Sequence, residues 1–402
     1  MNSVVRQMWE QNTDVVMVDT GNSYEGLCEY VGGKYISYTD EHPITMNPFA
    51  IKREELNIEK IGFLKNLIML IWKGTQGEVT KTEDRLIEQV ITEYFDEYFA
   101  KKQIENLSFN TFYEYSTVRI PQIIKENNLA GIDLAAYNYL LKDFYKGGSH
   151  ELTLNENLDT KLFDETFIVF EIDSIKDDPL LFPLVTLIIM DVFIQKMRIK
   201  KNRKVLVIEE AWKAIASPMM AEYIKYLYKT ARKFWASVGV VTQEIQDIVG
   251  SPIVKEAIIN NSDVVMLLDQ SKFRERFDEI KAILGLTDVD CKKIFTINRL
   301  ENKEGRSFFR EVFIRRGSVG GVFGVEEPHE CYMTYTTERA EKEALKLYKK
   351  ELQCDHQHAI EAYCRDWELS GITKSLPFAQ KVNQAGHVLR LKPKQEKGLN
   401  RL

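Results

Sequence analysis

Val205-Leu-Val-Ile-Glu209-Glu210-Ala-Trp212 is the stretch on which the fold turns. A run of apolar, largely β-branched residues ends abruptly in two adjacent acids. Such a strand buries its body and presents the acids at its carboxyl end, where ligands bind in open α/β sheets. There the first acid, Glu209, can hold Mg²⁺, usually through water, and the second, Glu210, can polarise an attacking water. The plainer alternative is a strand that simply ends in solvated acids, because a motif this short recurs by chance.

The arrangement is that of a Walker B strand, and the sequence just downstream extends it. A helix over residues 221–234 leads through Ala231-Arg232-Lys233 into a strand at 236–242 that ends in Thr242-Gln243. A glutamine at the tip of a neighbouring strand can sense a γ-phosphate or orient water, although it could equally cap the next helix. An arginine just ahead of that strand could reach the nucleotide of a neighbouring subunit. Its plainer use is as a cation at a helix C-terminus, favourable to the helix dipole.

Upstream, Thr13-Asp-Val-Val-Met-Val-Asp19 reads as another buried strand ending in a carboxylate, followed by a short helix at 21–30 and a strand at 34–38. Asp19 and Tyr24 fall at strand-tip positions close to where a nucleotide would lie. For Asp19, capping of the turn is the simpler role. Residues 53–145 change character: apolar residues recur at helical spacing over 58–72, 85–99 and 132–145, with Ser108 or Asn110 able to cap a further short helix. Alternation resumes with strands at 166–171, 204–209, 236–242 and 263–268 and helices at 178–200, 221–234 and 252–261. Apolar strands separated by helices predict an α/β fold with a mostly parallel sheet covered on both faces. A hairpin over 306–315 and 319–325 and helices beyond 337 follow, then a mainly basic tail from Lys374, expected to be mobile. The expected divisions are 1–50 (first part of the α/β core), 51–150 (all-helical insertion), 151–335 (remainder of the core) and 336–402 (C-terminal helices and tail).

Four blocks in this order resemble the TraG family of conjugative-transposon ATPases, relatives of the large ATPase of type IV secretion. They are Asp14-Val-Val-Met-Val-Asp-Thr-Gly-Asn-Ser-Tyr24, Val207-Ile-Glu-Glu-Ala-Trp-Lys213, Arg232-Lys233 with Val241-Thr-Gln243, and Thr334-Tyr-Thr-Thr-Glu338. The resemblance implies a RecA-like motor fold with ATP and Mg²⁺ as cofactors. It also implies ring-like homo-oligomers that work with other secretion components at the cytoplasmic side of the inner membrane. On that basis Glu209 and Glu210 correspond to the Walker B acids, with Glu209 as the metal contact, Gln243 to the sensor and Arg232 to the finger. Aspartate is commoner at the first Walker B position, which leaves the Mg²⁺ contact open between the two acids. One departure is large: no GxxxxGK[ST] occurs in the 402 residues, and Gly32-Gly33-Lys34-Tyr35 precedes a strand rather than opening a helix. Because residues 2–9 read as the helix that should follow such a loop, a fragment lacking the first strand and loop is expected, and no ATP hydrolysis by the chain as written. A degenerate, non-hydrolytic structural subunit and a DNA-pumping or coupling ATPase are the alternatives.

Composition agrees with a globular protein of ordinary balance. Net charge is −6, so any DNA contact must come from a local patch such as Arg198-Ile-Lys-Lys-Asn-Arg-Lys204. Such a run is more simply a solvated helix end. Five scattered cysteines with no CxxC pair suggest a reducing compartment. The N-terminus lacks the apolar core of a signal peptide. The run 180–194, interrupted by Pro183 and Asp191, is too short to span a bilayer, so a cytoplasmic location is expected. Cys354-Asp-His356-Gln-His358 holds soft ligands at a spacing that fits no standard zinc site. The aromatics clustered between Tyr94 and Tyr115 read as helix-packing residues, with a partner-docking face as the alternative.

Overall fold

The computed structural model describes residues 1–39, 41–157, 160–210, 218–242, 258–299 and 309–391. In chain order the strands are β1 (Thr13–Asp19), β2 (Lys34–Ser37), β3 (Phe167–Glu171), β4 (Arg203–Glu209), β5 (Ala236–Val241), β6 (Val264–Leu267), β7 (Phe309–Arg316) and β8 (Val319–Glu326). The helices of the first half are α1 (Asn2–Glu10), α2 (Glu25–Tyr30), α3 (Ile58–Lys73), α4 (Lys81–Ala100), α5 (Phe109–Asn127), α6 (Leu134–Leu141), α7 (Glu151–Asn155) and α8 (Leu181–Ile199). Those of the second half are α9 (Pro218–Ala231), α10 (Phe277–Leu284), α11 (Asp288–Ile294), α12 (His329–Tyr335), α13 (Arg339–Leu352), α14 (His356–Ser370) and α15 (Ser375–Ala385).

Two compact units result. The larger, Met8–Gly21 with Lys34–Ser262, holds a five-stranded, all-parallel sheet in the order β2-β3-β1-β4-β5. Every residue of β1 and β3 is buried, as expected of parallel strands covered on both faces. Helix α8 packs against β1, β4, α3 and α9, and thereby joins the sheet to the helices of the 58–155 region in one apolar core. Phe49 sits among Tyr94, Phe95, Phe109 and Phe112, with its ring 4.9 Å from that of Phe112. The aromatics of this region thus include a packed cluster. The expected short helix after Ser108 is a 19-residue helix that contains Pro121; Ser108 does cap it, accepting from the Thr111 N–H. Its β-branched and aromatic content, with the proline, masked a helical propensity that packing supplies.

The smaller unit comprises Met1–Gln7, Asn22–Gly33 and Asp263–Leu402. Here one strand departs from expectation. The run at 264–267 does not continue the parallel alternation; it pairs antiparallel with β7, Val264 opposite Arg316 and Leu267 opposite Phe313, in a sheet ordered β6-β7-β8. A short run that is apolar throughout carries no record of its partner's direction, which is why composition misplaced it. The hairpin turns at Gly317 (φ +58°), as its sequence suggested. The expected tail from Lys374 also differs: Phe378, Ala379 and Val382 recur at helical spacing and are buried in α15, with the Phe378 ring 5.0 Å from Tyr363. Residues 392–402, and most of the helix expected at 252–261, lie outside the described residues.

Candidate active site at the strand tips

The sheet order makes β1, β4 and β5 neighbours. Asp19 aligns with Glu171 at the ends of β1 and β3, and Glu209 aligns with Val241 at the ends of β4 and β5. Because Val18 pairs with Ile208, Asp19 stands level with Glu209 on the adjacent strand. Glu171, Asp19 and Glu209 therefore form a row of acids along one edge of the sheet. Glu210 follows in a left-handed backbone conformation (φ +48°), uncommon for a residue with a side chain, as the chain turns off the end of β4.

The members of the row differ in exposure. Asp19 is fully buried, Glu171 is buried, and Glu209 and Glu210 are half-buried. Glu171 was not singled out by sequence, although its strand was. Its carboxylate accepts from the Tyr35 hydroxyl (3.3 Å) and the Asp173 amide (2.8 Å), so it ties β3 to β2 and to the following turn. A strand ending in a single glutamate offers no sequence signal that separates this from a solvated acid. Gln243, together with Ala211-Trp212-Lys213 after the acids, lies outside the described residues.

Arg232 opens a 3₁₀ turn, Arg232–Phe234, ahead of β5 and is exposed. It therefore stands at the amino end of the sheet, about 20 Å from the strand tips at the rise of an extended chain. Within one copy it cannot share a seat with Glu209. Beneath this turn Lys204 is buried, its Nζ donating to the carbonyls of Asn202 (2.5 Å) and Phe234 (3.2 Å); burial holds its pKa below the usual lysine range. Lys196 is likewise buried, paired with Asp14 at 2.9 Å. Arg198 pairs with Glu59 and Lys200 with Asp164, so much of the basic run at 198–204 serves the fold, while Lys201 and Arg203 are exposed.

Tyr24 belongs to the smaller unit, where it precedes α2 and is only 1% exposed. In the same unit Gly26 approaches α12 so closely that a Cβ there would stand 2.5 Å from the Thr334 carbonyl oxygen. The Thr334 block is thus a packing surface. Asp355 caps α14, accepting from the His358 N–H at 2.9 Å, which accounts for that carboxylate beside the histidines. Among the described residues no cluster of three metal-ligating side chains occurs.

Residues 1–367 match the family described as the TraG P-loop domain. The chain belongs to that family. Protein TraC of Escherichia coli (strain K12) is 22% identical to it over 287 residues, covering 69% of this chain and 31% of TraC, so the family member spans about a third of that relative's length. Among solved structures, VirB4 of Thermoanaerobacter pseudethanolicus shares the fold at TM-score 0.58 and 19% identity, covering 81% of this chain and 85% of that one. The bacterial conjugative coupling protein TrwB, solved with sulphate, gives TM-score 0.52 at 12% identity, covering 81% and 80%. TrwB in complex with ADP and Mg²⁺ gives TM-score 0.50 at 11% identity with the same coverage. The RecA-like, mostly parallel sheet flanked by helices expected from sequence is the fold of this TraG P-loop chain.

Carboxylate oxygens are the donors a hard cation such as Mg²⁺ takes; Asp19 and Glu209 stand level at the strand tips, while the Glu171 carboxylate is engaged by Tyr35 and the Asp173 amide. A phosphate cradle needs backbone N–H groups pointing at the ligand from a glycine-rich loop. At the nearest string, the Gly32 and Gly33 N–H groups donate to the carbonyls of Glu29 and Cys28, where they close the end of α2. They are already used.

Proposed function

We propose that this chain is the motor part of a conjugative type IV secretion ATPase, with ATP and Mg²⁺ seated at the carboxyl ends of β1, β4 and β5. The observation that carries this reading is the adjacency of those strands, which sets Asp19 beside Glu209 with Glu210 next in the chain. Membership of the TraG P-loop family supports it, as does fold likeness to VirB4 and to a TrwB solved with ADP and Mg²⁺. Mg-ATP, when bound, supplies a phosphoryl group for transfer to water. Glu209 would hold the metal, through water, with Asp19 adding negative charge beside it, and Glu210 and Gln243 would be the groups available to polarise and orient a water. Arg232 serves the nucleotide of a neighbouring copy in a ring, consistent with its place at the far end of the sheet. Tyr24, the other residue expected near the nucleotide, is 1% exposed in the smaller unit and is kept here only as a cofactor-binding candidate.

In this reading residues 51–150 are an all-helical insertion, and the motor works with other secretion components at the cytoplasmic side of the inner membrane. No helix among the described residues is long and apolar enough to cross a membrane. DNA pumping is the less favoured variant, since most of the basic run is engaged in the fold. The second reading is a structural subunit docking through its helices.

Donor cells carrying Glu210→Gln distinguish the two. The motor reading expects transfer to fall ~10²-fold or more, the usual weight of a water-activating group. Transfer at the parental level, with loss only when the helices of 58–155 are disrupted, would overturn the motor in favour of the scaffold. The purified chain by itself is expected to show no Mg²⁺-dependent ATP turnover.

A further inference from the structure

Cys354-Asp-His356-Gln-His358 leads into α14 with two histidines in opposite settings. His358 is exposed, with its Nδ1 2.8 Å from Asp355 Oδ1, and the bond to that carboxylate raises its pKa. His356 turns inward. Its side chain is 12% exposed, Nδ1 stands 3.3 Å from Glu29 Oε2 on α2, and Nε2 is buried with no hydrogen-bond partner among the described residues. A neutral imidazole fits this place, since its one N–H can lie at Nδ1 and leave a bare acceptor at Nε2. A protonated ring carries a second N–H, which here would be buried without an acceptor.

His356 lies where α2 docks within the smaller unit. Glu25 pairs with Lys342 at 3.1 Å and Glu29 pairs with Lys349, both lysines on α13, while Tyr30 packs against the smaller core. At Gly26 a Cβ would stand 2.5 Å from the Thr334 carbonyl oxygen of α12 and 4.0 Å from His356 Nε2. So close a fit leaves α2 little room to adjust around the ring. Burial lowers the His356 pKa below its ordinary 6.5, and Lys349 on α13 acts in the same sense. Together they outweigh Glu29 and Glu25 on α2 and Asp355 at the start of α14, which favour the charged ring.

Because the docked value is depressed, the stabilisation is complete above pH 6.5 and is lost as pH falls through the docked value. His358 has the opposite sign: its raised pKa favours the folded form in acid, so a loss there does not come from it. We propose that His356 is a pH-sensitive latch for α2, in which uptake of a proton from water at Nε2 in mild acid releases α2 from α12, α13 and α14 while the smaller core stays folded. The latch stands apart from the motor reading and does not depend on a nucleotide.

Two buried thiols report the helix and the core separately: Cys28 lies on α2 and Cys364 in the smaller core. The full 402-residue chain is treated with a pyridyl disulfide, which attacks thiols in mild acid, between about pH 7.5 and 5.5, above the range in which carboxylates ordinarily titrate. Labelling mapped by mass spectrometry is divided by that of the same thiol in the urea-unfolded chain. Cys28 labelling is expected to rise several-fold as pH falls, with Cys364 still protected. His356→Gln is expected to abolish the rise. Lys349→Met, at an exposed position, removes the cation that opposes protonation and is expected to weaken the rise, which keeps the test decisive should the glutamine variant fail to fold. Equal protection of Cys28 across the range overturns the latch. So does joint labelling of Cys28 and Cys364 in the parent chain, which is melting of the unit rather than release of α2. An acid response that survives His356→Gln, or that Lys349→Met leaves unchanged, overturns it as well.

Discussion

Asp191 lies in the middle of an apolar helix, and Lys60 explains why it is tolerated there. The Lys60 ammonium sits 2.8 Å from Asp191 Oδ2, with side chains 7% and 5% exposed, and Gln195 donates to the same oxygen at 2.7 Å. A buried pair adds little net stability compared with apolar residues of equal volume, but removing one partner strands a charge. Lys60→Met is therefore expected to cost about 3–5 kcal/mol in urea unfolding, and Lys60→Met with Asp191→Leu to recover most of that. A single variant within about 1 kcal/mol of the parent would mean that the pair is solvated in practice. At this scale the sequence was partly legible. Asp191 was visible as an interruption that argues against a membrane span, but its partner, 131 residues away in the chain, was not. The same holds at the strand tips. Glu209, Glu210 and Asp19 declared themselves by closing apolar runs, whereas Glu171 gained meaning only from its register with Asp19.

Helix α4 shows how far local signals carry an element. Thr80 accepts from the Glu83 N–H, the Glu83 carboxylate accepts from the Thr80 N–H, and Lys73 at the end of α3 pairs with the same carboxylate. Burial raises the Glu83 pKa, but the bonds from Lys73 and Thr80 outweigh it and leave it below the ordinary value of 4.5. Since the folded pKa is depressed, the stabilisation is complete above the unfolded value and is lost as pH falls through the folded one. Glu83→Gln is expected to lower stability at pH 7 by about 1 kcal/mol and to flatten the acid limb of the stability curve. An acid limb as steep as the parent's would show that other carboxylates govern it. Elements whose boundaries depend on such caps, or on uninterrupted apolar runs like β1 and β4, were readable within a few residues. Those stabilised mainly by contacts were not: α5 was underestimated, α15 was taken for tail, and β6 was assigned to the wrong sheet.

Among the described residues two apolar cores, one in each unit, stand out. The larger runs from Val16 to Ile258 and binds the parallel sheet to its helices; the smaller, from Met333 to Val388, is centred on Tyr348, Tyr363, Trp367 and Phe378. Sequence anticipated an α/β core with a C-terminal hairpin and helices; strand runs alone do not reveal which core they serve. Cores that share no buried residues can melt separately, so a single two-state transition is not the expectation. Calorimetry of the full chain should show two transitions. Trp367→Ala, which removes a ring only 1% exposed, should destabilise one of them by about 3–5 kcal/mol and leave the other in place. Phe112→Ala, fully buried in the larger core, should do the converse. A single transition displaced as a whole by either substitution would mean that the units fold as one cooperative body, and the two cores would then have to be treated as a single stability.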